Sequence, residues 1–125
     1  MSLLFDTNAL LWWLVDDTRL SNLARDALAE PDVAVFVSAA SVWEIAIKEN
    51  LGKLSAPNNW LERVEEERIT PLPITHRHAR DAGRLALHHR DPFDRLLIAQ
   101  AQAEELTVVT RDPWFTTYGV NTIPA

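Results

Sequence analysis

The chain has no cysteine among its 125 residues. That excludes disulfides and thiolate metal sites, and nothing asks for an oxidising compartment. A basic leader is also missing. No Lys or Arg precedes the first apolar run, over residues 3–15, and Asp6 and Asn8 interrupt that run. It is too short to cross a bilayer and lacks the layout of a secretory signal, so a cytoplasmic protein without a membrane partner is the expectation. Positive charge is in short supply: twelve Lys and Arg stand against eighteen Asp and Glu, a formal net charge of −6. General affinity for nucleic acid rests on neutralising phosphates and is therefore disfavoured, although an enzyme that recruits cations locally escapes that objection. Repeats, low-complexity segments and linkers are absent, so one domain over residues 1–125 is expected.

What is present is globular. The composition is 47% hydrophobic and 24% charged, and a chain of this length buries about two-thirds of its unfolded surface. Five tryptophans are many for such a chain, and some suit an interface. A short apolar strand, Leu3-Leu4-Phe5, stops at Asp6-Thr7-Asn8 and leads into a helix over residues 9–15 that is apolar on every face. A second helix is expected over 20–30. Residues 33–37, Val-Ala-Val-Phe-Val, suit a parallel strand covered on both faces. Ser38 and Ser41 then open a helix to residue 51, with Gly52 as its stop. A helix over 57–67 follows. Residues 69–74 carry two prolines and suit only an edge strand. Thr75 caps a helix over 76–88. Asp91 and Pro92 start a buried helix over 92–105. Strands over 107–110 and 120–123 flank another cap-plus-proline helix start at Arg111-Asp112-Pro113. The alternation predicts an α/β fold, a three-layer α/β/α sandwich with a mostly parallel sheet of four to five strands. Ligands of such sheets bind beyond the carboxyl ends of the strands.

Acidic residues gather at that edge. Asp6 ends the first strand and Asp112 follows the strand 107–110. Glu44 lies early in the helix after the strand 33–37, and Asp94 heads the buried helix. Each has an ordinary explanation. Asp6 and Asp112 suit helix N-caps, and Asp94 suits the third position of a capping box. Glu44 and Lys48, four apart, suit an ion pair on an exposed helix face. Capping explains convergence poorly, because four unpaired acids brought together repel one another. A hard divalent cation with oxygen ligands, Mg²⁺ or Mn²⁺, removes the conflict. The four histidines are not spaced with the acids, which argues against zinc. Such a site suits metal-assisted phosphodiester hydrolysis.

Four stretches, in order, carry a resemblance. They are Leu4-Phe5-Asp6-Thr7-Asn8, Ser41-Val42-Trp43-Glu44-Ile45-Ala46-Ile47-Lys48, the run from His89-Arg90-Asp91-Pro92-Phe93-Asp94-Arg95 through Ala101, and Thr110-Arg111-Asp112 with Phe115. With them the chain resembles PIN domains, and more narrowly the VapC-type toxins of type II toxin–antitoxin pairs, over nearly its whole length. The resemblance implies an Mg²⁺- or Mn²⁺-dependent endoribonuclease acting on RNA. It matches Asp6, Glu44, Asp94 and Asp112 to the four catalytic acids. Asp6 and Asp94 are then the principal metal ligands, and Glu44 and Asp112 complete the pocket. Asp91 matches an additional acid that caps or supports, and Thr7, Asn8 and Thr110 fall where they orient ligands or water. A cognate antitoxin and a homodimer are implied as well.

Other features carry less. Arg77, Arg80, Arg84 and His88 share a helix face, followed by Arg90 and Arg95. A solvated face is preferred over an RNA footprint there. Trp12 and Trp13 suit core or an antitoxin groove, and Trp114 and Phe115 suit core packing over base stacking. Competing readings are a PIN nuclease of RNA maturation, a phosphatase or receiver-like domain with Asp6 as nucleophile, and a non-catalytic binding domain whose acids are only caps. The second lacks a further Asp at position 8 and a Lys after the strand 107–110.

Overall fold

The computed structural model describes all residues, 1–125. Five strands form one sheet, ordered β3-β2-β1-β4-β5, with β1 at Ser2–Phe5, β2 at Ala34–Ser38, β3 at Ile69–Leu72, β4 at Thr107–Thr110 and β5 at Thr122–Pro124. Every pairing is parallel. The apolar runs are continuous because both faces of the sheet are covered. Leu3, Phe5, Val35, Val37 and Val109 pack into one core layer, and Leu4, Leu72 and Val108 into the other.

Seven helices supply the covers. On the first face lie α1 (Thr7–Leu14), α2 (Asn22–Ala29) and α4 (Trp60–Glu66), through Leu10, Leu14, Ala24, Trp60 and Val64. On the second lie α6 (Pro92–Glu104) and α7 (Trp114–Thr117), through Leu97, Ile98, Ala101 and Phe115. Helix α5 (His76–Arg84) packs on α6, and α3 (Ala39–Asn50) spans both layers, giving Ile45 to one and Ala40 to the other. The expected three-layer sandwich and element order are found. The prolines of β3 sit at the sheet edge, Pro71 opposite Val37. Gly52, at φ +71°, closes α3 in the left-handed conformation a glycine favours. No helix is long and apolar enough to cross a membrane.

Three helices are shorter than their patterns suggest. α2 runs only over Asn22–Ala29, with Ser21 as its cap. α4 begins at Trp60 rather than at Pro57. α5 ends at Arg84, four residues before His88, because Leu85 turns extended at ψ 146°. The segment after it is held by a buried side chain. Arg95, 8% exposed, donates to the carbonyls of Ala82 at 2.8 Å, Leu85 at 2.9 Å, Ala86 at 3.1 Å and His89 at 3.0 Å. Arg95 is therefore an internal clamp and no part of an RNA-facing surface. Tyr118 Oη accepts from the backbone amides of His88 and His89 and donates to the Ala86 carbonyl. Together these bonds bring the start of α6 to the carboxyl edge of the sheet, the one placement that strand order alone does not dictate. Arg77 and Arg80 both pair with Asp81, as a solvated face would.

Candidate active site

The strand order places β1 centrally, between β2 on one side and β4 on the other. The chain leaves β1 in one direction and returns through β4 in the other, so the carboxyl ends of β1 and β4 border the crevice where such sheets bind ligands. A cavity of about 340 Å³ opens there. Its walls bring together Asp6, Thr7, Asn8, Glu44, Asp91, Asp94 and Asp112, with Trp12, Lys48 and Arg111.

Asp6 follows β1 directly. Its Oδ1 accepts from the Ala9 amide at 2.8 Å, so it does cap α1. Its Oδ2 accepts from the Thr110 hydroxyl at 2.6 Å. Thr110 in turn accepts from the Asp112 amide at 2.9 Å, tying the turn after β4 to Asp6. Asp6 is 7% exposed, and neither of its bonds is to a cation. Burial pushes its pKa up to about 6 against those two hydrogen bonds, and the charges of Asp112 and Glu44 push the same way.

Glu44 departs from its expected setting. The strip Ser41–Glu44–Lys48 is no open helix face: Ser41 is fully buried and Glu44 is 7% exposed. The Thr7 hydroxyl donates to Glu44 Oε1 at 2.6 Å and lies 3.1 Å from the Ser41 hydroxyl. Lys48 pairs with Glu44 Oε2 at 2.9 Å. The i,i+4 pair exists, but it is directed into the cavity because α1 and α6 cover that side of α3.

Asp94 departs from the capping reading too. The cap of α6 is Asp91, whose Oδ1 accepts from the amides of Phe93 and Asp94. Asp94 is left free of the backbone and meets His89 Nε2 through Oδ2 at 2.8 Å. Burial raises its pKa to about 6, Asp91 and Asp112 add to the rise, and His89 opposes it. Asp112 spends one oxygen on the Trp114 amide at 2.9 Å in the turn before the short α7; the expected N-cap role does not hold, because the cap position is Pro113.

A divalent cation fits this donor set. Asp6 and Asp94 are carboxylates taken from water with no Lys or Arg beside them, and a hard ion meets that shortage of positive charge with oxygen ligands. Donor atoms of His89, Asp94 and Asp112 lie within 4.8 Å of one another. The dismissal of all four histidines on spacing is therefore corrected for His89. It reaches the site across a helix start, where sequence separation says little about distance. Arg111 is a further residue that no spacing signals. It lines the cavity with its guanidinium 4.7 Å from the Trp12 ring centroid, and its Nε donates to the Ala125 carbonyl at 2.7 Å. Trp114 does not pack in the core, contrary to the expectation from the sequence. It is 39% exposed and stacks on His89, whereas Phe115 is fully buried.

A second cavity, of about 590 Å³, is larger but holds none of these acids. It lies between α1, α2, α4 and the sheet, lined by Trp13, Leu28 and Val33 among apolar residues and by Arg25, Arg63 and Arg68.

The family model described as PIN domain matches residues 3–120. Among curated proteins none matches the chain. Several solved structures share its fold. VapBC2 from Rickettsia felis bound to a DNA fragment from their promoter aligns with a TM-score of 0.74 at 15% identity, covering 99% of this chain and 98% of that one. FitAcB from Neisseria gonorrhoeae aligns at 0.65 with 21% identity, over 97% and 96%. A toxin–antitoxin complex from Klebsiella pneumoniae aligns at 0.60 with 21% identity, over 89% and 87%.

Proposed function

The chain belongs to the PIN-domain family, and on that premise we propose that it is a divalent-cation-dependent endoribonuclease, the toxin of a toxin–antitoxin pair. One observation carries the reading: carboxylates from four separate segments line a single cavity at the carboxyl edge, one of them, the buried Asp6, bonded only to an amide and a hydroxyl.

Asp6 and Asp94 are the groups to hold Mg²⁺ or Mn²⁺, and Glu44 and Asp112 complete the acidic wall. When bound, such an ion supplies positive charge for the phosphoryl oxygens and lowers the pKa of an attacking water. The remaining work belongs to the chain. Thr110 fixes the rotamer of Asp6, and Thr7 fixes that of Glu44. His89 fixes the orientation of Asp94 through its Oδ2. Asp91 starts α6 so that Asp94 faces the cavity, and Asn8 adds an amide at its rim. Lys48 and Arg111 supply the local positive charge that a phosphodiester needs in a molecule of net charge −6.

The antitoxin is part of the same proposal. The larger cavity offers an apolar floor with charges of both signs at its rim, Arg25, Arg63 and Arg68 beside Asp16 and Glu67, which suits an amphipathic segment of a partner. A fold shared with a toxin–antitoxin complex supports that partner class. A homodimer is proposed too. Trp43, 59% exposed and edge-on to Phe93, is an apolar surface that a second copy would cover.

The test is cleavage of a mixed, structured RNA pool by the purified chain freed of antitoxin. It is run with Mg²⁺, with Mn²⁺ and with EDTA, beside folded Asp6→Asn and Asp94→Asn proteins. Cleavage that needs the ion and disappears in both variants is the expected result. Cleavage that persists in EDTA, or in either variant, would refute the assignment.

A further inference from the structure

Trp114 and His89 form a feature that metal binding does not require. Their rings stack at 5.3 Å between centroids with 14° between planes. Both are anchored to the acidic wall. His89 Nε2 meets Asp94, and the Trp114 amide donates to Asp112. His89 is held a second time through its own amide, which donates to Tyr118 Oη at 2.9 Å, and Phe115 beside Trp114 is fully buried. The pair is thus rigid. One face of the indole is spent on the imidazole, yet Trp114 remains 39% exposed. An exposed tryptophan fixed in one orientation beside a hydrolytic pocket has lost its side-chain entropy in advance, which is how a binding platform is prepared.

Resting on the nuclease reading above, the geometry points to Trp114, backed by His89, as a stacking platform for an unpaired nucleobase next to the scissile phosphate. A protein partner also has use for an exposed Trp. Nucleic acid is favoured because the imidazole behind the indole meets Asp94 and the Trp114 backbone amide donates to Asp112, so a base lying on the indole has its own phosphate beside the acidic wall. Stacking needs a base free of its duplex, so the substrate class is single-stranded RNA or the unpaired loops of folded RNA. Since every base has a π face, the platform selects for strandedness and discriminates weakly among bases.

The test compares the full-length wild type with Trp114→Ala and Trp114→Phe on a single-stranded RNA of about 12 nucleotides and on its duplex. The wild type is expected to cleave the single strand and spare the duplex. Trp114→Ala should raise KM for the single strand by about tenfold or more, the usual loss when one stacking aromatic is removed, and leave kcat within about twofold. Trp114→Phe keeps a ring and should keep KM near wild type. A second readout does not depend on turnover. In an Asp6→Asn background, where the strand stays intact, saturating RNA should quench tryptophan fluorescence, and adding Trp114→Phe should remove most of that quench. If the wild type cleaves RNA while Trp114→Ala keeps its KM and the quench survives Trp114→Phe, the platform is refuted and the nuclease reading stands. Unchanged kinetics together with lost antitoxin binding would also refute it, by making the ring part of a protein interface. A wild type that neither cleaves nor binds RNA would overturn both readings.

Discussion

Asp6 sits in the protein with a carboxylate that no basic side chain meets, and that shortage has a measurable sign. Its pKa is about 6 in the fold against 3.8 as the reference for the open chain. Between those values the folded state binds more protons than the unfolded one, so stability falls as pH rises through the window. A shift of that size costs on the order of 3 kcal/mol by pH 7. Asp94 moves the same way by desolvation, with a smaller cost because it is more open to solvent. Metal-free protein should therefore lose stability in denaturant titrations between pH 4 and pH 7, and Asp6→Asn should flatten that slope. A wild-type slope of the opposite sign would mean that the acids are paired in solution. Saturating Mn²⁺ should restore at pH 7 much of what deprotonation costs. At this scale the placement of Asp6 and Asp112 at strand ends, of Asp94 at a helix start and of Glu44 early in α3 anticipates the one cavity they line, whereas Thr7, Asn8, Asp91 and Thr110 enter as site residues only through the resemblance. His89 and Arg111 were not legible, because neither holds a spacing to another site residue that a periodic element would impose. Glu44 was legible as a residue but misjudged in setting. Helical periodicity locates a strip on α3, and only packing against α1 and α6 decides whether that strip faces water.

Two elements position the chemistry, and both depend on polar side chains. The first is the start of α6. Asp91→Ala removes a cap that satisfies two backbone amides and should cost about 1 kcal/mol. Mn²⁺ binding should survive that change, which separates the cap from the ligands. The second is the connection from α5 to α6, held by Arg95. Arg95→Met keeps the volume but leaves several buried carbonyls without a donor, at a cost of about 3 kcal/mol. Amide hydrogen exchange over residues 85–91 should quicken, and metal affinity should fall because Asp94 is no longer held at the sheet edge. Unchanged exchange there would contradict the clamp. The α6 start was legible, since Asp-Pro followed by an apolar run is a strong local signal. The early end of α5 was not. Ala86-Leu87-His88 continue the helical composition, and the reason they leave it is a guanidinium that lies several residues further along and needs their carbonyls.

Across the whole molecule the sheet was the easiest part to anticipate. Continuous β-branched runs need cover on both faces, and alternation with helices then leaves a parallel order as the economical topology. What no local pattern carries is which strand is central, and hence where the crevice opens. That follows from β1 pairing with both β2 and β4. The net charge of −6 also acts at this scale. With Lys48 and Arg111 as the cations lining the cavity, few counterions leave the RNA on binding. Raising salt from about 50 to 200 mM at fixed Mg²⁺ should therefore raise KM for RNA by less than about tenfold. A far steeper dependence would place the main RNA contacts on another surface.

The central claim is that the carboxyl-edge cavity is a divalent-cation site built from Asp6 and Asp94. Calorimetric titration of Mn²⁺ into the folded, metal-free wild type at pH 7 tests it most directly, with Asp6→Asn and Asp94→Asn titrated alongside. The account expects saturable binding to the wild type and its loss in both variants. A folded wild type that takes up no Mn²⁺, or variants that bind it as the wild type does, would leave Asp6 as the cap of α1 and Asp94 as no more than the partner of His89.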